Sequence, residues 1–228
     1  MTTVLAIDTS GPVTSLGVER THGEGCSVSA DGGRRHAEVI DELMNRMIEV
    51  LGDERPDAIA VGVGPGPYSG LRVGIAFATG LGRAWQCPLV GVCSLDVIAW
   101  AVIATEAPRG DFVVSTDARR GENYWARYDA TGTRTAGPWV GAQLDVEFDA
   151  PVFGDRRVDT QLMASRVASC LDDGYTAVSM PAQWAPHGAD GLQVEVPVGP
   201  LLSARPLYLR APDITPSAKV PADPGSTT

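Results

Sequence analysis

The segment from Gly62 to Gly82 constrains the fold more than any other part of this 228-residue chain. A loop rich in glycine and proline runs directly into a stretch of helical character, in which small residues recur every four positions. These residues are Gly70, Gly74, Ala78 and Gly82. Residues four apart lie on one face of a helix, and glycine there costs about 1 kcal/mol relative to alanine. The sequence therefore predicts that a neighbour approaches this helix face closely.

Composition and charge limit the classes of protein to which the chain can belong. With 44% hydrophobic and 20% charged residues, it has enough apolar material for a buried core. No run approaches the roughly 20 apolar residues of a membrane span, and the segment 1–8 lacks the basic start of a signal peptide. We therefore expect a cytoplasmic protein without a membrane segment. The net charge of −10 disfavours direct binding to nucleic-acid phosphates, so a role on RNA requires a basic partner.

Hydrophobic patterning in the first half predicts three antiparallel strands followed by alternating helices and strands. A helix is clearest over 37–51, where apolar residues recur at helical spacing, and another is expected to follow a cap at Ser94. The predicted strands are 4–7, 14–18, 25–30, 58–63 and 89–92. This order predicts an α/β domain with a mixed sheet covered by helices, as in the ribonuclease H-like fold, ending near Pro108.

The second half of the chain carries weaker patterns. Residues 111–116 and 123–128 predict two strands on either side of the segment 117–121, and residues 159–171 predict a helix. The sequence between and beyond them is predicted to be irregular. From Ala211 onward, prolines accompany small and polar residues with little to bury, so we expect a disordered tail.

The triplet Asp8-Thr9-Ser10 is the first candidate binding site, because it follows a buried strand and precedes Gly11. A carboxylate and two hydroxyls in this position could hold a phosphate-bound metal through water. Asp8 could equally cap the turn. The sequence leaves both interpretations open.

The glycine-rich loop and a histidine are further candidates. Free amides at a helix N-terminus favour anions, but the loop 62–70 lacks the lysine of a Walker-type phosphate loop. A tight turn with close helix packing is the alternative. If His36 were a metal ligand, a second ligand would be expected one turn later on the same helix face, but that position is Ile40. We therefore expect no metal site, and no set of residues indicates a catalytic centre.

The apolar stripe of the 37–51 helix also has two interpretations. Ile40, Leu43, Met44 and Met47 lie at helical spacing, and such a stripe ordinarily belongs to the core. Part of it could instead contact another protein.

Four segments of the chain resemble the TsaB family, also called YeaZ. They are Leu5-Ala-Ile-Asp-Thr-Ser10, Gly64-Pro-Gly-Pro-Tyr-Ser-Gly-Leu-Arg-Val-Gly74, Asp117-Ala-Arg-Arg-Gly-Glu122 and Pro206-Leu-Tyr-Leu-Arg210. The resemblance extends through most of the chain. It implies an ASKHA-type fold, related to actin, Hsp70 and sugar kinases, with two ribonuclease H-like lobes. The implied division is a first lobe at 1–107, a reduced second lobe at 108–210 and a disordered tail at 211–228.

The resemblance also implies a function in tRNA modification. Members of this family are non-catalytic partners of TsaD, which forms threonylcarbamoyladenosine next to the anticodon of tRNAs reading codons that begin with A. TsaE is the third component, and ATP and a metal are expected in TsaD and TsaE rather than in this chain. TsaD holds its metal partly through an H-x-x-x-H pair, of which this chain keeps only His36. The tRNA is reached through the complex, and a homodimer is possible when the chain is alone.

Site residues follow from the same resemblance. Asp8, Thr9 and Ser10 correspond to a vestigial phosphate loop. The helices of the first lobe are implied to pack against matching helices of TsaD. The expected interface residues are His36, Ile40, Leu43, Met44, Met47, Ser69, Gly70, Arg72, Val73, Gly74, Phe77 and Ala78.

Two alternatives to the partner role remain at this point. One is a free-standing ASKHA-type ATPase or small-molecule kinase, which would use Asp8, Thr9 and Ser10 around magnesium. Tight ATP binding by the isolated chain would favour it. The other is a homodimeric structural module, which differs from the TsaD-partner role only in that the partner is a second copy of this chain.

Overall fold

Two β-sheets and the helices packed against them form the described part of the chain. The computed structural model describes residues 2–20, 25–33, 35–142, 150–154, 156–177 and 199–209. In chain order the elements are β1 (Val4–Asp8), β2 (Val13–Glu19), β3 (Cys26–Asp31), α1 (His36–Leu51), β4 (Ala58–Gly62), α2 (Tyr68–Trp85), β5 (Leu89–Val92), α3 (Ser94–Glu106), β6 (Phe112–Asp117), β7 (Glu122–Tyr128), β8 (Arg134–Ala142), β9 (Val152–Gly154) and α4 (Thr160–Asp172).

The first sheet has the strand order β3-β2-β1-β4-β5. β1 pairs antiparallel with β2, from Val4 opposite Glu19 to Asp8 opposite Ser15, and β2 pairs antiparallel with β3. β4 and β5 join in parallel on the other side of β1. A meander followed by parallel strands in this order is the ribonuclease H-like arrangement, which confirms the prediction for the first half.

Alternation along β1 divides the core into two layers. Leu5 and Ile7 pack with the apolar faces of α1 and α2 on one side of the sheet. Val4 and Ala6 pack with α4 on the other side. Every residue of β1 and β4 is buried, as expected for central strands with helices on both faces. This packing places Asp8, the last residue of β1, at the carboxyl edge of the sheet.

A second sheet, with strand order β8-β7-β6-β9, repeats the first four positions of the same pattern. β6, β7 and β8 form an antiparallel meander, and β9 pairs in parallel with β6. Among the described residues no strand takes the place that β5 has in the first sheet. The two sheets therefore form an ASKHA-type pair of ribonuclease H-like lobes with a reduced second lobe.

Helix α3 joins the two lobes. It is rich in apolar residues on all sides, with Val97 in the core that contains α4 and Ile98 in the core that contains the second sheet. Its Asp96 accepts hydrogen bonds from Arg134 Nε on β8 (2.9 Å) and from the Tyr128 hydroxyl on β7 (2.8 Å). Removing one partner of a buried ion pair typically costs about 3–5 kcal/mol. The pair links the second sheet to α3, and loss of either partner would leave a buried charge uncompensated.

After β9 the chain returns to the first sheet. α4 is capped by Asp159, whose carboxylate accepts a hydrogen bond from the Leu162 amide (3.0 Å), and it packs on β1 and β2. Gly17 on β2 permits this approach, because a Cβ there would overlap the backbone of Thr160. The sequence-based division into 1–107 and 108–210 therefore separates α4 from the sheet that it covers.

The chain also closes the free edge of β5. Leu202 forms an antiparallel bridge with Gly91, and the Leu207 amide donates to the Val63 carbonyl (2.7 Å). Residues 199–209 thus belong with the first sheet in space, although they lie far from it in sequence.

Some elements differ from the sequence-based expectations. Ser94 is the first residue of α3 rather than its cap, and its hydroxyl donates to Asp8 instead of accepting a hydrogen bond from a helix amide. β8 and β9 lie where irregular structure was predicted, because Gly137 and Pro138 interrupt the sequence pattern of β8 and because β9 has only 3 residues. The predicted disordered tail at 211–228 lies outside the described residues. In the described ranges no helix has the length and apolarity needed to cross a membrane.

Candidate functional site

Asp8 is the centre of a buried polar cluster at the carboxyl edge of the first sheet. One carboxylate oxygen accepts hydrogen bonds from the Ser10 amide (3.0 Å) and the Ser10 hydroxyl (2.9 Å). The other accepts hydrogen bonds from the Ser94 hydroxyl (3.0 Å) and the Ser10 hydroxyl (3.1 Å). Burial raises the pKa of the Asp8 carboxyl above its ordinary value, although these hydrogen bonds oppose the shift. Asp8 is thus a carboxylate held in a low-dielectric position by neutral donors.

The glycine-rich loop packs directly on this cluster. A Cβ at Gly62 would overlap the Asp8 carboxylate, and a Cβ at Gly66 would overlap the Ser10 carbonyl. The glycines of this loop therefore allow close backbone packing around Asp8 and Ser10. This geometry accounts for the loop without assigning a phosphate to it.

The small-residue stripe of α2 faces the chain itself. A Cβ at Gly70 would lie 2.5 Å from the Thr9 carbonyl, and one at Gly74 would overlap the Thr9 hydroxyl. The Thr9 hydroxyl also donates to the Gly70 carbonyl (2.8 Å). Ala78 is in the core, and Gly82 approaches the Cys87 carbonyl. The neighbour that the stripe predicts is therefore the chain's own first lobe.

The residues expected at the interface divide into a buried and an exposed group. Most of them are covered within the chain, because the α1 stripe and the inner stripe of α2 both face the first sheet. The covered residues are His36, Ile40, Leu43, Met44, Met47, Gly70, Gly74 and Ala78. Of the predicted set, Ser69 and Arg72 are exposed, and Val73 and Phe77 are half-buried.

His36 has a structural environment at the start of α1. Its Nδ1 is 2.8 Å from the Thr14 hydroxyl of β2, and its Nε2 lies beside Gly70 on α2. Burial lowers the pKa of the imidazole, and the nearby Asp31 carboxylate opposes this shift. The side chain therefore links α1, β2 and α2.

The outer side of α2 carries a second small-residue stripe. Ala76, Gly80 and Ala84 recur four residues apart and are exposed. A Cβ at Gly80 would have no atom within 4 Å. Val73 and Phe77 lie half-buried along the same helix and extend the apolar character of this side. Ala76, Gly80 and Ala84 together form the outer stripe of α2.

Two of the signature segments meet at the start of α2. The rings of Tyr68 and Tyr208 stack with centroids 4.5 Å apart. The Arg72 guanidinium donates to the Tyr68 hydroxyl (3.0 Å) and lies over the Tyr68 ring. The segment 199–209 therefore supports the helix end from which the outer stripe extends.

A cleft of about 380 Å³ lies between the two lobes. Asp8, Ser10 and Ser94 line it from the first lobe, and Thr116 and Asp117 line it from the second. Three arginines also line it, namely Arg119, Arg156 and Arg157. The cleft is thus lined by carboxylate, hydroxyl and guanidinium side chains from both lobes.

The turn between β6 and β7 has an unusual backbone. Arg119 (φ 64°) and Arg120 (φ 59°) both adopt the left-handed conformation, followed by Gly121 (φ 73°). The Asp117 carboxylate accepts a hydrogen bond from the Arg119 amide (2.6 Å) and stabilises this turn. A left-handed residue other than glycine costs about 1–3 kcal/mol, and such residues cluster at functional sites.

Sequence reasoning identified Asp8, Thr9 and Ser10 but not their surroundings. Ser94 lies 86 residues from Asp8 in sequence, and no local pattern connects them. Arg119 stands in a segment that carries the family resemblance, which was an available signal. Arg157 follows β9, a strand too short to be predicted from its pattern.

Comparison with known proteins gives the family. A family model described as TsaD, tRNA N6-adenosine threonylcarbamoyltransferase, matches residues 27–145, which is just over half of the chain. An uncharacterized protein of Mycobacterium tuberculosis is 38% identical over 229 residues, covering 96% of each chain. The tRNA threonylcarbamoyladenosine biosynthesis protein TsaB of Escherichia coli is 29% identical over 160 residues, covering 67% of this chain and 65% of that protein.

Solved structures support the fold. A Pseudomonas aeruginosa protein described as similar to peptidase YEAZ has a TM-score of 0.70 at 21% identity, covering 92% of this chain and 100% of that chain. YeaZ from Pseudomonas aeruginosa has a TM-score of 0.64 at 22% identity, covering 76% and 94%. These structures share the fold, and the sequence matches show that the chain belongs to the TsaB (YeaZ) family.

Proposed function

We propose that this chain acts in tRNA threonylcarbamoyladenosine biosynthesis as the non-catalytic partner of a TsaD-type subunit. The relatives named TsaB carry that pathway in their names, and the family model that matches residues 27–145 is described as TsaD. A chain with the fold of such a subunit is suited to pair with it through equivalent helices.

The outer stripe of α2 is the observation that carries this proposal. Small exposed residues at Ala76, Gly80 and Ala84 let a partner helix approach the α2 backbone closely. Two large apolar side chains are exposed near the end of the adjacent α1, namely Ile48 (45%) and Val50 (36%). Apolar groups of this kind at the centre of a contact area are typical of protein interfaces.

Charge divides the surface of the two helices. The exposed charged residues of α2 are Arg72 and Arg83, and the helix contains no acidic residue. The exposed side of α1 is mainly acidic, with Glu38, Asp41, Glu42 and Glu49. Complementary potentials fix the orientation of partners and raise association rates. The proposed partner therefore presents acidic residues to α2 and basic residues to α1.

The remaining components are assigned by the same proposal. TsaE joins the complex, and ATP and a metal are held by TsaD and TsaE. The tRNA is bound through the complex, consistent with the net charge of −10 on this chain. The complex works in the cytoplasm. A homodimer through the same helices is the competing association of the free chain.

Mixing experiments test the partner role. The purified chain is combined with the TsaD-type protein of the same organism, and light scattering measures the mass of the product. Threonylcarbamoyl transfer to tRNA is then measured with TsaE and ATP, with and without this chain. We expect a defined heteromeric complex and transfer that depends on the chain.

Two results would contradict the proposal. One is the absence of a complex at concentrations where the homodimer is stable. The other is ATP hydrolysis or phosphoryl transfer by the chain alone, which would favour the free-standing ATPase or kinase.

A further inference from the structure

The cleft between the lobes is lined by charged side chains of both signs, with Asp8 and Asp117 among the acidic residues and Arg119 and Arg157 among the basic ones. Its volume of about 380 Å³ is near the lower end for small-molecule pockets. Apolar side chains from both lobes form its walls, including Pro12, Val13, Pro65, Leu95, Ile98 and Val158. Such walls exclude water and strengthen the electrostatic interactions of any group bound between them.

Asp8 is the buried acidic residue of the cleft. It is 2% exposed, and the groups that donate to it are the Ser10 amide, the Ser10 hydroxyl and the Ser94 hydroxyl. None of these donors is positively charged. A buried carboxylate without a cation is costly, so a ligand with a positive group or a strong donor would be bound favourably there.

Arg119 and Arg157 are the basic residues of the cleft without an acidic partner in the described part of the chain. Both line the cleft and both are exposed. Within the described part of the chain, neither guanidinium forms an ion pair. Arg156 differs, because its guanidinium pairs with Glu106 and donates to the Thr105 hydroxyl. Arginine binds carboxylates through paired N–H groups, so each of these guanidiniums has the chemistry to bind a carboxylate in the cleft.

The backbone of the β6–β7 turn is an independent indication. Arg119 adopts a left-handed conformation, and its amide donates a hydrogen bond to the Asp117 carboxylate. The turn is therefore held in a shape that its residues disfavour, at the point where Arg119 lines the cleft.

We propose that this cleft binds a small zwitterionic molecule of amino-acid or dipeptide size. Its ammonium group lies toward Asp8, and its carboxylate lies toward Arg119 and Arg157. The apolar walls contact the part of the ligand between its charged ends. This site is separate from the α2 surface and does not depend on the proposed partner role.

Matched probes test the two ends of the site separately. Calorimetry on the full chain compares L-leucine and alanyl-leucine with N-acetyl-alanyl-leucine, which lacks the ammonium, and alanyl-leucinamide, which lacks the carboxylate. Inorganic phosphate and magnesium-ATP are measured in parallel. We expect at least one unmodified zwitterion to bind, and the corresponding blocked forms to bind about tenfold more weakly.

Variants assign each preference to a residue. In Asp8→Asn, the preference for the free ammonium should disappear while the preference for the carboxylate remains. In Arg119→Ala, the preference for the free carboxylate should fall, because only Arg157 remains to bind it, while the preference for the ammonium remains. Arg120→Ala is the matched control, because Arg120 shares the turn and the left-handed backbone but does not line the cleft. Its binding should equal that of the original chain, and melting curves establish that each variant is folded.

Three outcomes would overturn the proposal. The first is no binding of L-leucine or alanyl-leucine at about 10 mM. The second is equal binding of free and blocked probes. The third is binding of phosphate or magnesium-ATP that depends on Asp8 or Arg119 while the zwitterions do not bind, which would assign the cleft to an anion or a nucleotide. If Asp8→Asn fails to fold, the amide probe with Arg119→Ala still decides.

Discussion

The inner and outer sides of α2 carry the same kind of residue in the same spacing, but different neighbours meet them. On the inner side, Gly70 and Gly74 contact Thr9 of the chain itself. On the outer side, Ala76 and Gly80 are exposed, and no atom lies within 4 Å of the position of a Cβ at Gly80. The comparison shows that small-residue spacing predicts close approach but does not identify what approaches.

The two sides therefore have different consequences for substitution. Filling the inner side forces the backbone of α2 away from β1 and the Thr9 turn. Filling the outer side leaves the folded chain unchanged and alters only the surface available to a partner. A bulky substitution on the inner side should therefore lower the stability of the chain. The same substitution on the outer side should weaken association with a partner and leave stability unchanged.

Gly74→Leu should have the largest effect on the chain itself. The new side chain would overlap Thr9, and overpacking of this kind typically costs about 1–3 kcal/mol, offset in part by about 1 kcal/mol of improved helix propensity. Urea unfolding should show a lower midpoint. Gly80→Leu is the matched control on the outer stripe and should not be destabilised. Equal stability of Gly74→Leu and the original chain would contradict the inner packing.

Arg83→Gln should have a smaller effect, confined to association. Arg83 is exposed in the last turn of α2 and is one of the two charged residues on that helix's exposed surface. Removing its charge should slow association with the TsaD-type partner severalfold at low salt, and the difference should shrink as salt is added. Surface plasmon resonance at two ionic strengths measures this. Arg109→Gln, which removes an exposed charge outside α2, should leave the rate unchanged.

The pH dependence of stability should show the smallest effect, at His36. Burial holds the pKa of the folded-state imidazole below its ordinary value of 6.5, so protonation favours the unfolded chain. Its contribution is complete above about pH 6.5 and is lost as the pH falls below that value. The slope of unfolding free energy against pH over this range should decrease in His36→Asn. An unchanged slope would mean that His36 titrates alike in both states.

Much of the first lobe could be predicted from the sequence because its signals are local. Short apolar runs marked β1, β4 and β5, and helical periodicity marked α1 to within one residue. The second lobe was predicted less completely. β8 contains Gly137 and Pro138, and β9 is too short to show a pattern. The packing of α4 on the first sheet depends on Gly17. The need for glycine at this position is evident only once the Thr160 backbone is known to lie beside it.

The site could be predicted only in part. Asp8 was identified from its place after a buried strand, but its partner Ser94 comes from another element. The residues of the interface were drawn from the apolar faces of both helices, and those faces are where the chain packs on itself. Hydrophobic spacing gave the strongest signal for burial, whereas the exposed outer stripe has no comparable signal because small residues tolerate either environment.

Association of Gly80→Leu with the TsaD-type partner tests the central claim most directly. The substitution and the matched control Gly110→Leu, an exposed glycine outside α2 whose Cβ position is also open, are compared by dissociation constant and by melting temperature. We predict that Gly80→Leu weakens the complex by more than about tenfold while its melting temperature equals or exceeds that of the original chain, and that Gly110→Leu leaves the complex unchanged. An unchanged dissociation constant for a folded Gly80→Leu would show that the outer stripe is not the partner surface.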